Sequence, residues 1–293
     1  MTAAWLAIVN PCAGQRRSPG WRKAIANRLT RELSAEVVFT QRPGHAGELC
    51  AEARAFEGLA VFGGDGTTAE VVNGMDLDRQ ALLLLAGGTG NSLARDLGLT
   101  SLDAAFAAAR EGRRRTLDLI RVAFCIQEKS YSRLAISTAS VGYAAEVVAL
   151  ANRFFKPLGA LCYPLAAAFQ AARQRSFPLM ISVDGGPFDE RWLSNVMINN
   201  TCHAGNFRAF RRADLSDGQM EVLMARARFA SQLLHNLAVL TRTYFYATAA
   251  EVGARALTLR LPTPQGLMID GELWAGITSV RFEVLPGKLK CVA

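Results

Sequence analysis

The chain has 293 residues, of which 51% are hydrophobic and 20% are charged. This composition supplies a sizeable core and excludes a wholly disordered chain, and the length is comfortable for two domains. The net charge of +8 is typical of a solvated basic surface, or of a protein that meets an anionic partner such as a nucleotide, a nucleic acid or a lipid surface.

Strand and helix signals alternate in the first third of the chain. Strands are predicted at Trp5–Val9, Ala35–Thr40, Leu59–Phe62 and Leu82–Ala86, and helices at Trp21–Leu33, His45–Phe56 and from Thr67 to Gly74. This alternation is typical of a parallel sheet with helices on both faces, where ligands bind beyond the carboxyl ends of the strands. The carboxyl ends of the four predicted strands carry Asn10, Thr40, Gly63–Thr67 and Gly87–Asn91. We expect these residues to converge on one crevice.

The pattern becomes mostly β after the basic run Arg113–Arg115. Strands are predicted at Thr116–Phe124, Tyr131–Ser140, Leu179–Val183, Trp192–Ile198, Met220–Ala225, Ala256–Leu261, Gly266–Ile269, Thr278–Val284 and Leu289–Val292, and helices at Gly142–Lys156, Leu158–Arg175 and Phe229–Tyr246. We therefore expect an α/β domain over residues 1–120 and a β-rich domain over residues 121–293. Whether the last strand belongs to the second domain or joins the first is left open.

Six cysteines are scattered without metal-site spacing, which favours free thiols in a reducing cytosol. No N-terminal signal is visible, and the longest apolar stretch, Pro157–Ala172, is shorter than the roughly 20 residues that span a bilayer. We expect a cytoplasmic protein, with peripheral contact at the inner membrane face left open.

The turn Gly63-Gly64-Asp65-Gly66-Thr67 joins an apolar strand to a helix N-terminus. Glycines let backbone N–H groups approach a phosphate closely, and the N-terminus of a helix favours negative charge. A carboxylate in such a turn would repel phosphate unless a cation lay between them. The turn therefore suggests a nucleotide together with Mg²⁺.

Several motifs occur in order along the chain. They are Asn10-Pro11-x-x-Gly14, Thr40 with Gly44-His45-Ala46, Gly63–Thr67 followed by Glu70-x-x-Asn73-Gly74, Gly88-Thr89-Gly90-Asn91-x-Leu93-Ala94-Arg95, Asp118-Leu119, Ser140–Val147, Asp217-Gly218 and Asp270-Gly271-Glu272. Together they resemble the diacylglycerol, sphingosine and ceramide kinase family in its soluble bacterial form. The resemblance implies a NAD kinase/diacylglycerol kinase-like α/β nucleotide-binding domain followed by a β-sandwich-like domain with a few helices. It also implies transfer of the γ-phosphoryl group of ATP to a lipid hydroxyl.

The resemblance assigns the nucleotide contacts to the first domain. The implied residues are Asn10, Thr40, Gly63, Gly64, Asp65, Gly66, Thr67, Glu70, Asn73, Thr89 and Asn91, with ATP and Mg²⁺ as cofactors. Asp65 would act through Mg²⁺. Local structure offers alternatives: Asp65 suits a helix N-cap, Asn10 a turn before Pro11, and Asn73 with Gly74 a helix C-cap.

In the second domain the resemblance implies that Glu272 is the general base. Asp270 would orient or assist Glu272, and a bound metal ion is one way in which it could assist. Taken alone, Asp270-Gly271-Glu272 favours a hairpin turn. A structural Mg²⁺ is implied at a loop involving the Asp217 side chain and the backbone of Asp214 and Gln219, although Asp217-Gly218 is also a turn signal.

One position departs from the family pattern, because Ser92 stands where many bacterial relatives have aspartate. This change weakens a plain diacylglycerol assignment. Two other functions stay open. One is a NAD kinase-like phosphotransferase on a soluble substrate, because NAD kinases use a turn related to Gly63–Thr67, and the other is a catalytically weak lipid- or nucleotide-binding regulator, which Ser92 suggests.

The expected partners are a membrane lipid substrate and an anionic membrane surface, with no nucleic acid and no oligomeric state predicted. Pro157–Ala172 is flanked by Arg153, Lys156, Arg173 and Arg175. Such an apolar helix with basic flanks suits an anionic interface, and it equally suits a core helix of the second domain.

Overall fold

A computed structural model describes residues 4–14, 20–88, 90–155, 162–171, 173, 175–204, 207–208, 210, 212–226 and 249–293. The chain divides into two compact units. Unit 1 comprises Met1–Leu119 with Leu285–Ala293, and unit 2 comprises Ile120–Val284.

Unit 1 alternates strands and helices along the chain. In order these are β1 (Trp5–Val9), α1 (Trp21–Leu33), β2 (Glu36–Phe39), α2 (His45–Glu52), β3 (Gly58–Gly63), α3 (Asp65–Gly74), β4 (Ala81–Ala86), α4 (Ser92–Asp96) and α5 (Leu102–Arg110). The strands form a parallel sheet in the order β4-β3-β1-β2, and Cys291 and Val292 pair in parallel with β4. All of β3 is buried, as expected for a strand with helices on both faces.

The carboxyl ends of these strands lie at one edge of the sheet. Backbone hydrogen bonds continue past the strand ends, from Asn10 N to Phe62 O (2.8 Å), from Thr40 N to Val9 O (2.9 Å) and from Gly87 N to Gly63 O (3.0 Å). The turns that follow β1, β2, β3 and β4 therefore lie side by side, as the sequence predicts.

Unit 2 is mostly β. Its elements, which include those that cross the division, are β5 (Arg115–Ile126), β6 (Lys129–Ala135), β7 (Thr138–Gly142), α6 (Tyr143–Leu150), α7 (Cys162–Ala171), β8 (Phe177–Val183), β9 (Asp189–Leu193), β10 (Asn195–Asn199), β11 (His203–Ala204), β12 (Phe207–Arg208), β13 (Met220–Ala225), β14 (Ala249–Ala254), β15 (Ala256–Ile269) and β16 (Glu272–Val292). An antiparallel sheet runs in the order β14-β13-β10-β7-β15-β16, and apolar side chains from most of these strands form one core.

Several predicted strands have different limits in the structure. The predicted strand Tyr131–Ser140 is two strands, β6 and β7, because the backbone at residues 136–138 turns to bond the Asp270 carboxylate. The predicted strand Trp192–Ile198 is likewise divided at Ser194 into β9 and β10. The pair Ala256–Leu261 and Gly266–Ile269 is one strand, β15, whose pairing with β16 shifts register between Arg260 and Leu267.

The first two predicted helices of unit 2 lie partly within the described residues. Tyr143–Leu150 is α-helical and continues as one π-helical turn, Ala151–Phe155. The next described helix covers Cys162–Ala171, whereas the predicted helix Phe229–Tyr246 lies outside the described residues. In the part of the chain that the structure describes, no helix has the length and apolarity that crossing a membrane requires.

Candidate active site

The N-terminus of α3 offers free backbone donors. Gly64 is the N-cap, and the first helical bond runs from Thr68 N to Gly64 O (3.1 Å). Helix geometry thus leaves the N–H groups of residues 65–67 without an acceptor in the helix. A Cβ placed on Gly66 would meet nothing within 4 Å, so open space lies beside these donors. This arrangement suits a phosphate group.

The neighbouring glycines serve close packing of the turns. A Cβ on Gly63 would lie 2.6 Å from the Thr67 Cβ, and one on Gly87 would lie 2.6 Å from the Phe62 ring. A Cβ on Gly88 would collide with the Cα of Gly64. At these three positions close packing favours glycine. No such packing explains the glycine at position 66.

Asp65 connects the two glycine turns. Its Oδ1 accepts a hydrogen bond from Ser92 N (2.8 Å), and its Oδ2 lies 3.4 Å from the donating Ser92 Oγ. Burial raises the pKa of the Asp65 carboxyl, while the bonds from Ser92 and Asn91 and the charge of Arg95 act to lower it. Both turns line a recess with Asp65 and Asn91 in its wall. A cation binding here would favour the ionised carboxylate.

Asn10 and Thr67 are brought together at the same edge. Asn10 Nδ2 donates to Thr67 Oγ1 (2.8 Å), and Asn10 Oδ1 accepts from Cys12 N (2.9 Å). Asn10 therefore also forms the turn that the alternative interpretation expected. Thr40 is buried at the end of β2.

The side chains of three further predicted contacts bond backbone groups of the protein. The Glu70 carboxylate accepts from Gly44 N (2.9 Å) and Ala46 N (3.2 Å), which fixes the start of α2. Asn91 has φ of 52° and its side-chain amide bonds both the N–H and the C=O of Gly88. Asn73 Nδ2 donates to Ala69 O (2.9 Å) in its own helix. The predicted contact Thr89 lies outside the described residues.

In unit 2, Asp270 holds three backbone N–H groups. Its Oδ2 accepts from Ile136 N (2.8 Å), and its Oδ1 accepts from Ser137 N (3.0 Å) and Thr138 N (2.9 Å). Asp270 and Gly271 have φ of 47° and 92°, so they form the hairpin turn between β15 and β16. Asp270 thus fixes the turn that presents Glu272. The sequence carries the Asp-Gly turn signal, but nothing in it identifies residues 136–138 as the partners.

Glu272 is the first residue of β16 and pairs with Ile269. Its side chain is exposed. Two residues on, Trp274 packs against Phe124 with ring centroids 4.9 Å apart, so the strand that carries Glu272 is anchored in the core.

The aspartates of the proposed metal loop cap their own turns. Asp214 Oδ1 accepts from Ser216 N (2.9 Å), and Asp217 Oδ1 accepts from Gln219 N (2.9 Å). Burial raises the pKa of Glu221, and the nearby carboxylates of Glu251 and Asp217 add to the rise. Within the described residues no group of three or more His, Cys, Asp or Glu side chains suits a metal ion.

The donors at the α3 N-terminus match the needs of a nucleotide and Mg²⁺. Free N–H groups beside the open side of Gly66 suit phosphate oxygens. Mg²⁺ is commonly held by one or two carboxylates together with substrate phosphates and water, so Asp65 alone suffices on the protein side of unit 1. Unit 1 therefore fits both groups.

Two family models match the chain. The diacylglycerol kinase catalytic domain matches residues 4–122, and the YegS C-terminal NAD kinase beta sandwich-like domain matches residues 137–293. Since the second model alone covers more than half of the 293 residues, the chain belongs to the diacylglycerol kinase-like, YegS-type family of lipid kinases. It is an enzyme of the kinase class, and the predicted fold class is confirmed.

Relatives and solved structures agree with this placement. The Bacillus subtilis (strain 168) protein YtlR, whose name assigns it provisionally to the lipid kinases, is 27% identical over 75% of this chain and 76% of its own length. A diacylglycerol kinase structure from Bacillus anthracis str. Sterne has a TM-score of 0.73 and 18% identity, over 99% of this chain and 96% of that one. An Archaeoglobus fulgidus NAD kinase in complex with ATP has a TM-score of 0.56 and 12% identity, over 99% of this chain and 93% of that one. These two structures show the shared fold alone.

Proposed function

We propose that the chain is an ATP- and Mg²⁺-dependent lipid kinase that transfers the γ-phosphoryl group to the hydroxyl of diacylglycerol, a sphingoid base, ceramide or a related lipid. The observation that carries the proposal is the α3 N-terminus, where free N–H groups, an open glycine and a buried carboxylate occur together. Family membership supplies the lipid as the class of acceptor.

The phosphates of ATP are proposed to bind the backbone N–H groups of residues 65–67. Gly66 leaves room for their approach, and the Thr67 hydroxyl, fixed by Asn10, adds a polar contact. Thr40, Thr89 and Asn91 are proposed to line the same nucleotide site. Glu70 and Asn73 support it through the turn and helix that they stabilise.

Asp65 is proposed to hold Mg²⁺ on the phosphate side. When bound, Mg²⁺ neutralises charge on the phosphate oxygens during phosphoryl transfer. Asp65 contributes a carboxylate whose orientation is set by Ser92 N. The Asp217 loop, with Asp214 and Gln219, stays a proposal for a separate structural cation.

Glu272 is proposed to accept the proton of the lipid hydroxyl. A carboxylate is suited to this role because it is ionised at neutral pH. Asp270 is proposed to position Glu272 by holding the 136–138 backbone. The three N–H bonds to its two oxygens support this positioning role.

The protein is proposed to work in the cytoplasm and to meet its substrate at the inner face of an anionic membrane. The net charge of +8 supports attraction to such a surface. Nucleic acid is not a proposed partner.

The proposal is tested with labelled ATP, Mg²⁺ and a total lipid extract, followed by identification of labelled products. A labelled lipid phosphate monoester supports it. Parallel reactions with NAD, diacylglycerol, sphingoid base and ceramide separate the classes of acceptor. The NAD kinase-like alternative predicts labelled NADP, and the regulator alternative, suggested by Ser92, predicts ligand binding without turnover.

A further inference from the structure

Helix α7 buries two small side chains and exposes two large ones. Cys162 and Ala166 are buried in a cluster with Tyr143, Val147 and Ala151. By contrast, Leu165 and Phe169, which also lie four residues apart, are 40% and 47% exposed. A helix that contributed only to the core would have the opposite arrangement.

The adjoining π-helical turn adds a third exposed apolar side chain. It packs against α7, and its Phe154 is 60% exposed. Phe154, Leu165 and Phe169 are here called the apolar outer face. They are three of the six large exposed hydrophobic side chains in the described part of the chain, so exposed apolar surface is concentrated here.

Arginines border the apolar outer face. The guanidinium carbon of Arg173 lies 3.9 Å from the Phe169 ring centroid, and that of Arg153 lies 5.0 Å from the Phe154 centroid. Arg175 is also exposed. Residues 147–183 contain four basic residues and no acidic residue. Glu146 and Asp184 flank this range, and Glu146 accepts a hydrogen bond of 2.5 Å from Gln170.

The inner side of α7 is fixed in place. Tyr143 Oη donates to Ala167 O (2.7 Å), and the Glu146–Gln170 bond adds a second link between α6 and α7. The outer residues are therefore held outward by bonds on the opposite side of the helix.

We propose that the apolar outer face docks on an anionic lipid bilayer, with Phe154, Leu165 and Phe169 entering the interface and the arginines contacting lipid phosphates. The surface rests on the proposed lipid kinase function, which it deepens. A second copy of the chain is disfavoured as the occupant, because a two-fold contact through this face would bring arginines of both copies together.

The test is co-sedimentation, without ATP, with vesicles of phosphatidylcholine alone or mixed with phosphatidylglycerol. The wild type is expected to bind the anionic vesicles and to be released at about 0.5 M salt. Leu165→Gln/Phe169→Gln is expected to lower the partition coefficient about tenfold or more, and Arg173→Gln/Arg175→Gln to remove the preference for phosphatidylglycerol. Trp192→Gln is the matched control, since Trp192 is 55% exposed on β9, and its binding is expected to equal that of the wild type.

Unchanged binding of Leu165→Gln/Phe169→Gln would overturn the proposal. So would a dimer, measured by light scattering, that this variant dissociates. Kinase activity on detergent-dispersed lipid is measured in parallel and is expected to be unaffected by the variants. Vesicle binding without any lipid phosphorylation would support the docking face and contradict the proposed function, so the two failures are distinguishable.

Discussion

The backbone N–H of Ser92 donates a 2.8 Å hydrogen bond to Oδ1 of Asp65, and this bond ties the turn after β4 to the turn after β3. Asp65 therefore has a fixed orientation without a metal ion. The serine supplies a donor at a position where an aspartate would instead place a second carboxylate beside the first.

Asp65 is expected to reduce stability while serving function. Because burial raises its folded pKa above the ordinary value of 3.8, the ionised form disfavours folding, and this cost grows as pH rises through the folded pKa. Asp65→Asn is expected to be as stable as the wild type at pH 7, or more stable by about 0.5–1 kcal/mol, and to lose kinase activity at least about 100-fold. Urea unfolding at pH 4 and pH 7, with activity assays, measures both effects. A loss of stability at pH 7 would contradict this account of Asp65.

Ser92→Asp is expected to move the acidic limb of the kcat/KM profile to higher pH. The added carboxylate would raise the pKa of Asp65 further, because two like charges disfavour ionisation. The repulsion between the two carboxylates is also expected to lower the stability of Ser92→Asp, and binding of Mg²⁺ is expected to recover part of that loss. Ser92→Ala is the control. It keeps the backbone donor to Asp65 and loses only the hydroxyl donor, so its profile should shift in the same direction but less. A downward shift in Ser92→Asp would contradict the prediction.

Two glycines of one turn are expected to respond oppositely to alanine. Gly66→Ala fills open space on a helix, so stability is expected to be retained or to rise by about 0.5–1 kcal/mol, whereas KM for ATP rises about tenfold or more. Gly63→Ala brings a Cβ against Thr67 and is expected to cost about 1–3 kcal/mol of stability. Thermal unfolding and ATP titrations distinguish the two. Unchanged ATP binding in Gly66→Ala would remove the phosphate role from this turn.

Asp270→Ala is expected to lower the free energy of unfolding by about 2–4 kcal/mol, since three buried backbone donors lose a charged acceptor. Turnover should fall with it, because Glu272 is no longer positioned. Glu272→Gln should lose turnover at unchanged stability, which separates positioning from proton transfer. The exposed Asp189, paired with Arg191 at 2.8 Å, supplies the control Asp189→Asn, with a change within about 0.5 kcal/mol. Equal stability of Asp270→Ala and the wild type would contradict the positioning role.

The sequence predicts the elements of unit 1 well where local signals are strong. Trp21–Leu33 matches the observed helix, because buried Ile25, Leu29 and Leu33 recur at four-residue spacing. The prediction omits α5, although the N-cap Ser101 accepts from Ala104 N (3.1 Å) and marks its start. This signal was present and could have located the helix.

Contacts distant in sequence explain what could not be predicted. The break between β6 and β7 depends on Asp270, more than 130 residues away, and no local pattern encodes it. The Ser92–Asp65 bond is also distant in sequence. The motifs place the two turns at the same sheet edge but do not show that these two residues bond. Sequence motifs thus identify the candidate site residues, while long-range hydrogen bonds determine how each is oriented.

The most direct measurement compares phosphoryl transfer by three matched chains. Purified wild type, Glu272→Gln and Glu283→Gln are incubated with γ-labelled ATP, Mg²⁺ and diacylglycerol, sphingoid base or ceramide, and ATP binding is measured separately. Glu283 is a control on the same strand, where it contacts Arg121 at 3.4 Å. The account predicts a labelled lipid phosphate with wild type and Glu283→Gln, and at least about a 100-fold loss of turnover with intact ATP binding in Glu272→Gln. Label on NAD and on no lipid, or near wild-type turnover by Glu272→Gln, would contradict it.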